Sequence, residues 1–134
     1  MSASLTNVGA ITLFVDDIAR SKRFYDATFD GKLVYEDAQA AAFDFGNTIV
    51  NLLERPAARE LIEPASVAAA GLGSQLQLTI WVEDTDAACA ELRERGVALV
   101  NGPLDREWGM RTACFSDPDG HIWEVAQNLS QTGG

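Results

Sequence analysis

This chain repeats itself, and a repeat narrows the folds open to it. Thr12-Leu13-Phe14-Val15-Asp16-Asp17 lies over Thr79-Ile80-Trp81-Val82-Glu83-Asp84, with three positions identical and three conservative, at an offset of half the 134-residue length. The elements around the match recur in the same order, so the chain reads as a duplicated unit. A strand over Gly9–Val15 is followed by a helix from Ile18 to about Phe29, with Asp16 or Asp17 as its cap and Ile18, Tyr25 and Phe29 on one face. Gly31 stands where a left-handed helix stop would, and strands follow at about 32–37, 41–45 and 48–54, the last two joined by Gly46-Asn47. The second copy has a strand over Leu76–Val82, then a helix capped by Asp84 or Thr85 and stopped at Gly96. Its strands follow near 97–100, 111–116 and 121–127, with Asp117-Pro118-Asp119-Gly120 as the last turn.

Each copy is therefore a βαβββ module, spanning 8–54 and 75–128. Residues 55–74, punctuated by Pro56, Pro64, Gly71 and Gly73, read as a linker with one or two helical turns. Residues 101–110 are an insertion that the first module lacks, and 129–134 read as a disordered tail. The fold class is α+β. Two tandem modules form a cupped, partly closed mixed sheet with the helices outside, and the cup is the expected site.

Alternation along the strands assigns faces. Ile11, Leu13 and Val15 face the first helix, leaving Ala10, Thr12 and Phe14 in the cup. Leu76, Leu78, Ile80 and Val82 face the second helix, leaving Gln77, Thr79 and Trp81. The hairpin strands add Ile49, Asn51 and Leu53 from one module and Ile122 and Glu124 from the other. Phe14 and Trp81 occupy equivalent positions, suited either to stacking on a flat ligand or to filling a dry cup. Trp108 and Arg111 are candidates for the rim, where Arg111 either holds a ligand anion or pairs with one of the chain's own carboxylates. Trp123 is expected under a helix, His121 beside its turn, and Cys89 and Cys114 in the core.

Composition removes whole classes of function. Twenty acidic against ten basic residues leave a net charge of −10, and both halves are acidic, so nucleic acid and anionic membrane are poor partners. No apolar run approaches a membrane span, and Met1–Asn7 carries no basic, apolar leader pattern. Two cysteines make no disulfide framework, so a reduced, cytoplasmic chain is expected. There is no phosphate-binding glycine loop, no Cys-x-x-Cys pair and no nucleophile elbow.

The duplicated module, the Val-x-Asp helix starts and the run Asp117-Pro118-Asp119-Gly120-His121-Ile122-Trp123-Glu124 resemble the vicinal oxygen chelate superfamily. That group holds glyoxalase I, bleomycin-resistance proteins and extradiol dioxygenases. The resemblance runs from about Val8 to Asn128, which makes residues 1–134 a single domain of this kind; Trp108-Gly109-Met110-Arg111 is similar to the resistance-type members. It implies four metal-ligand positions, which fall here on Ala10, Asn51, Gln77 and Glu124. Ala10 offers no ligand atom, Asn51 and Gln77 are weak donors, and only Glu124 is a proper ligand, so no cofactor is expected.

Three readings follow. The first is a binding protein of the resistance type, holding a small, partly aromatic molecule without metal through Phe14, Asn51, Gln77, Thr79, Trp81, Trp108, Arg111 and Glu124. A cationic drug would suit its acidic surface. The second is a metal-dependent lyase, isomerase or dioxygenase with Gln77 and Glu124 as residual ligands of a divalent ion and Glu124 as proton shuttle. The third is a non-catalytic interaction domain whose cup is plugged by its own side chains. A homodimer is expected, each cup drawing Ala10, Phe14 and Asn51 from one module and Gln77, Trp81 and Glu124 from another.

Overall fold

The computed structural model describes residues 5–131, and the chain divides at Ala70–Gly71 into two compact units. The first unit runs β1 (Ala10–Val15), α1 (Ile18–Thr28), β2 (Lys32–Glu36), β3 (Ala40–Asp44), β4 (Ile49–Glu54) and α2 (Arg55–Ile62). Its four strands form one mixed sheet in the order β1-β4-β3-β2, with β1 parallel to β4 and the other pairs antiparallel. The second unit repeats this with β5 (Gln77–Trp81), α3 (Thr85–Glu94), β6 (Leu99–Asp105), β7 (Met110–Ser116) and β8 (Ile122–Asn128), in the sheet order β5-β8-β7-β6. The duplication read from twelve residues is thus carried by two open α+β sheets of the same connectivity.

Both module helices start the same way. The Asp17 carboxylate accepts from the Arg20 amide at 3.1 Å, and the Asp84 carboxylate accepts from the Ala87 amide at 3.1 Å. Such a cap satisfies one of the orphan amides of the first turn and is worth about 1 kcal/mol. Their ends differ. At α3, Gly96 has φ 87°, its amide donates to the Arg93 carbonyl, and the Val97 amide donates to the Leu92 carbonyl. That is a Schellman stop sealed by two buried apolar side chains, Leu92 and Val97. Gly31, which the sequence pattern assigns the same duty, does not adopt positive φ. It is small because a Cβ there would meet the Phe45 ring at 2.8 Å. The first helix instead ends at Thr28, with the Phe29 amide donating to the Tyr25 carbonyl.

The covered face of the first sheet holds Leu13, Val15, Phe43, Val50 and Leu52, packed with Tyr25 of α1, whose ring stacks on Phe29 at 5.3 Å. In the second unit Cys89, Leu92, Phe115, Trp123 and Val125 are buried in the corresponding positions. The insertion at 101–110 is built largely as strand. β6 runs through it to Asp105, and a turn at 106–109 leads directly into β7. The register shifts between Asn101 and Leu104, and Gly102 sits in that irregularity. Within 55–74, Arg55–Ile62 is an eight-residue helix with Pro56 in its first turn, where a missing amide costs nothing. Of the tail, Leu129–Gln131 forms a 3-10 turn and 132–134 lie outside the described residues.

Candidate functional site

The open face of the second sheet is set by register. Thr79 lies opposite Glu124, Trp81 opposite Ala126 and Gln77 opposite Ile122, while Cys114 of β7 is paired with Glu124 from the other side. Partners in register point to the same face, so Gln77, Thr79, Trp81, Cys114 and Glu124 share one surface. The Thr79 hydroxyl donates to the Glu124 carboxylate at 2.9 Å, and the Cys114 thiol faces the Gln77 carbonyl oxygen at 3.8 Å. Burial pushes the Cys114 thiol up from its ordinary value, and the Glu124 carboxylate beside it adds to the shift.

The first sheet repeats the motif. Thr12 lies opposite Asn51, and the Asn51 amide donates to the Thr12 hydroxyl at 3.3 Å. A threonine at equivalent register in each repeat therefore binds the polar side chain of the neighbouring strand. Ala10 is paired with Ile49, and Phe14, paired with Leu53, is half-buried.

At the end of the second sheet Trp81 stands 74% exposed. With Glu83, Met110, Ala126 and Asn128 it borders a cleft of about 600 Å³. A large exposed aromatic beside a concave surface is an informative departure from ordinary burial. Met110, Glu83 and Asn128 are absent from the expected site. Met110 is paired with Asn128 in the β7–β8 register and has the same strand parity as Cys114, which is the signal that could have found it.

Of the two residues expected at the rim, Arg111 takes the second course open to it and pairs with the chain's own carboxylates. Arg111 pairs with Gln127 and has the opposite parity to Cys114, so it leaves the strand on the helix side. There its guanidinium donates to Asp86 of α3 at 2.9 Å and to Asp105 at 2.9 Å, and these two carboxylates hold it firmly charged. Trp108 is 70% exposed in the β6–β7 turn, with the Arg106 guanidinium 5.9 Å from its ring centre. His121 is tied to its own turn. Its Nδ1 meets the buried Asp117 carboxylate at 2.7 Å, and the same carboxylate accepts the Asp119 and His121 amides, which locks the turn before β8. Trp123, expected on the covered face, is buried.

The four family ligand positions carry a donor set without imidazole or thiolate, and each polar side chain among them is engaged within its own unit. Ala10 has no donor atom. Asn51 turns its amide nitrogen to Thr12, the Gln77 oxygen faces a thiol, and Glu124 receives a hydroxyl. Among the described residues, no group of three or more His, Cys, Asp or Glu side chains could hold a metal ion. A transition metal bound by one carboxylate and two amides lacks the imidazole or thiolate ligands that give affinity.

The family model for the Glyoxalase/Bleomycin resistance protein/Dioxygenase superfamily matches residues 7–125, and the chain belongs to that superfamily. It is 33% identical over 123 residues to the uncharacterized protein YraH of Bacillus subtilis, covering 89% of this chain and 96% of that one. It is 26% identical over 122 residues to the metallothiol transferase FosB of Bacillus licheniformis, covering 90% of this chain and 75% of that one. Among solved structures, a glyoxalase/bleomycin resistance protein/dioxygenase from Nocardioides superposes with a TM-score of 0.86 at 24% identity, covering 98% of this chain and 89% of that one. That likeness speaks for the fold. No helix among the described residues is long and apolar enough to cross a membrane.

Proposed function

We propose that this chain is a small-molecule-binding member of the superfamily that works without the family's metal. Its ligand carries a flat, partly aromatic body that stacks on Trp81 and packs against Met110 and Ala126. The observation that carries the reading is Trp81 itself, a tryptophan left 74% exposed at the edge of a cleft of about 600 Å³, a volume typical of ligand sites. Stacking there needs no metal and no covalent chemistry. Gln77, Thr79 and Glu124 offer polar groups on the same sheet face to orient the ligand. Phe14 and Asn51 serve the equivalent surface of the first module. The net charge of −10 favours a cationic ligand by long-range attraction. This reading leaves Arg111 to its two carboxylates. Two free, buried cysteines fit a reducing compartment such as the cytoplasm.

The test has two arms. Elemental analysis of protein purified without chelator should find less than stoichiometric Zn, Ni, Fe or Mn. Tryptophan fluorescence titrated with a panel of flat aromatic cations should be quenched, and Trp81→Ala should weaken that binding by about tenfold or more, the scale of a lost aromatic anchor. Stoichiometric metal that Glu124→Gln removes, with turnover of an α-keto or catechol substrate, would transfer the assignment to a metal-dependent enzyme. Binding by none of the panel would leave an interaction domain as the surviving reading.

A further inference from the structure

After β4 the chain folds as α2 and returns through residues 63–69, and between them lies a cleft of about 830 Å³, wholly within the first unit. Pro56, Pro64, Val67 and Ala69 give it an apolar wall. Arg55, Arg59 and Glu63 also line it, and they are not equivalent. The Arg55 guanidinium donates to the Asp16 carboxylate at 2.6 Å and to the Ala68 carbonyl at 3.3 Å. Its charge is already matched, and it ties the returning segment to the start of α2.

Arg59 and Glu63 stand four residues apart, the spacing at which opposite charges normally meet across a helical turn. The Glu63 amide does donate to the Arg59 carbonyl at 3.0 Å. Their side chains, however, make no ion pair or hydrogen bond with any described residue. The cleft thus offers one unmatched guanidinium and one unmatched carboxylate beside an apolar wall. A simple anion would meet Arg59 but be repelled by Glu63, and a simple cation would suffer the reverse. A ligand that carries both charges is complementary to both groups.

We infer that this cleft binds a small apolar zwitterion, an α-amino acid with a hydrocarbon or aromatic side chain. The carboxylate of the ligand takes the planar fork of Arg59, its ammonium takes the Glu63 carboxylate, and its side chain lies on Pro56, Pro64 and Val67. The site is independent of Trp81 and of the reading given to it.

Isothermal titration of the whole protein with L-leucine and L-phenylalanine tests this, with N-acetyl-L-leucine and L-leucinamide as probes that each lack one charge. Both amino acids should bind, and each control should bind about tenfold more weakly or worse, as expected for loss of one charged hydrogen-bonding contact. Arg59→Gln and Glu63→Gln should each cause a similar loss. Both side chains are exposed, so the thermal melts of these variants should match the parent and separate lost binding from lost folding. No heat from either amino acid overturns the inference. So does N-acetyl-L-leucine binding as well as L-leucine, which would make the cleft a plain anion site.

Discussion

Cys114 and Cys89 illustrate how a single buried thiol enters the stability of the molecule. Both are free and buried, and desolvation raises both above their ordinary value. The sign of the consequence is fixed. A group whose folded pKa exceeds its unfolded one, about 8.5 for cysteine, stabilises fully below the unfolded value, and that contribution is lost as pH rises through the folded one. Urea unfolding measured from pH 7 to 10 should therefore show stability falling above about pH 8.5, by at most about 1.4 kcal/mol per pH unit for each thiol. Cys114→Ala should flatten that slope. An unchanged slope would mean the thiol is not held protonated by the fold. At this scale the sequence was only half legible. Alternation correctly gave Thr79, Trp81 and Glu124 one face, because a strand's period of two leaves no choice. It could not say that Glu124 receives the Thr79 hydroxyl, since a hydrogen bond depends on rotamers and on the register between strands distant in sequence. Arg111 shows the same limit. Its place relative to Cys114 follows from parity, but its partners, Asp86 and Asp105, come from a helix and a neighbouring strand.

Elements were legible where a local signal had one meaning and illegible where it had two. Val15-Asp16-Asp17 and Val82-Glu83-Asp84 announce strand followed by capped helix, and both occur as read. A glycine after a helix has two meanings, and the chain uses both: Gly96 for its positive φ, Gly31 for the space that the Phe45 ring occupies. Gly102 combines the two. Its φ is 88°, and a Cβ would meet the Thr112 carbonyl oxygen at 2.5 Å and the Ala113 Cα at 2.7 Å. Residues 101–110 look like a loop because Gly102 and Pro103 interrupt the strand pattern, yet these residues form the irregularity that lets β6 continue beside β7. The prediction is an ordering. Gly96→Ala, with nothing within 4 Å of the new methyl, should cost only its backbone conformation, about 1 kcal/mol. Gly102→Ala adds a clash with backbone and should cost about 2–4 kcal/mol. Urea midpoints at constant slope would check it, and a Gly102→Ala cost no larger than that of Gly96→Ala would show that the close approach does not constrain the strand.

For the whole molecule, the open question is what completes its sheets. Among the described residues each sheet has four strands, and β1, β2, β5 and β6 each have a single strand neighbour. The outer strands also carry apolar side chains in the open, with Val34 and Tyr35 on β2 at 51% and 55% exposure and Val100 on β6 at 59%. Edges of this kind invite partners and are usually covered. Opposing this, two chains of charge −10 repel each other, and that repulsion is screened by salt while apolar contact is not. We therefore propose that the chain forms a two-fold homodimer whose affinity rises with ionic strength. Light scattering at micromolar concentration in moderate salt should report about twice the 14.4 kDa chain mass, and dilution into low salt should favour the single chain. Introducing lysine at Val34 or Val100 should shift the balance toward monomer if apolar edges make the contact. A monomer at high salt would sink the dimer, and a dimer that dissolves as salt is raised would show that ion pairs rather than apolar edges hold it.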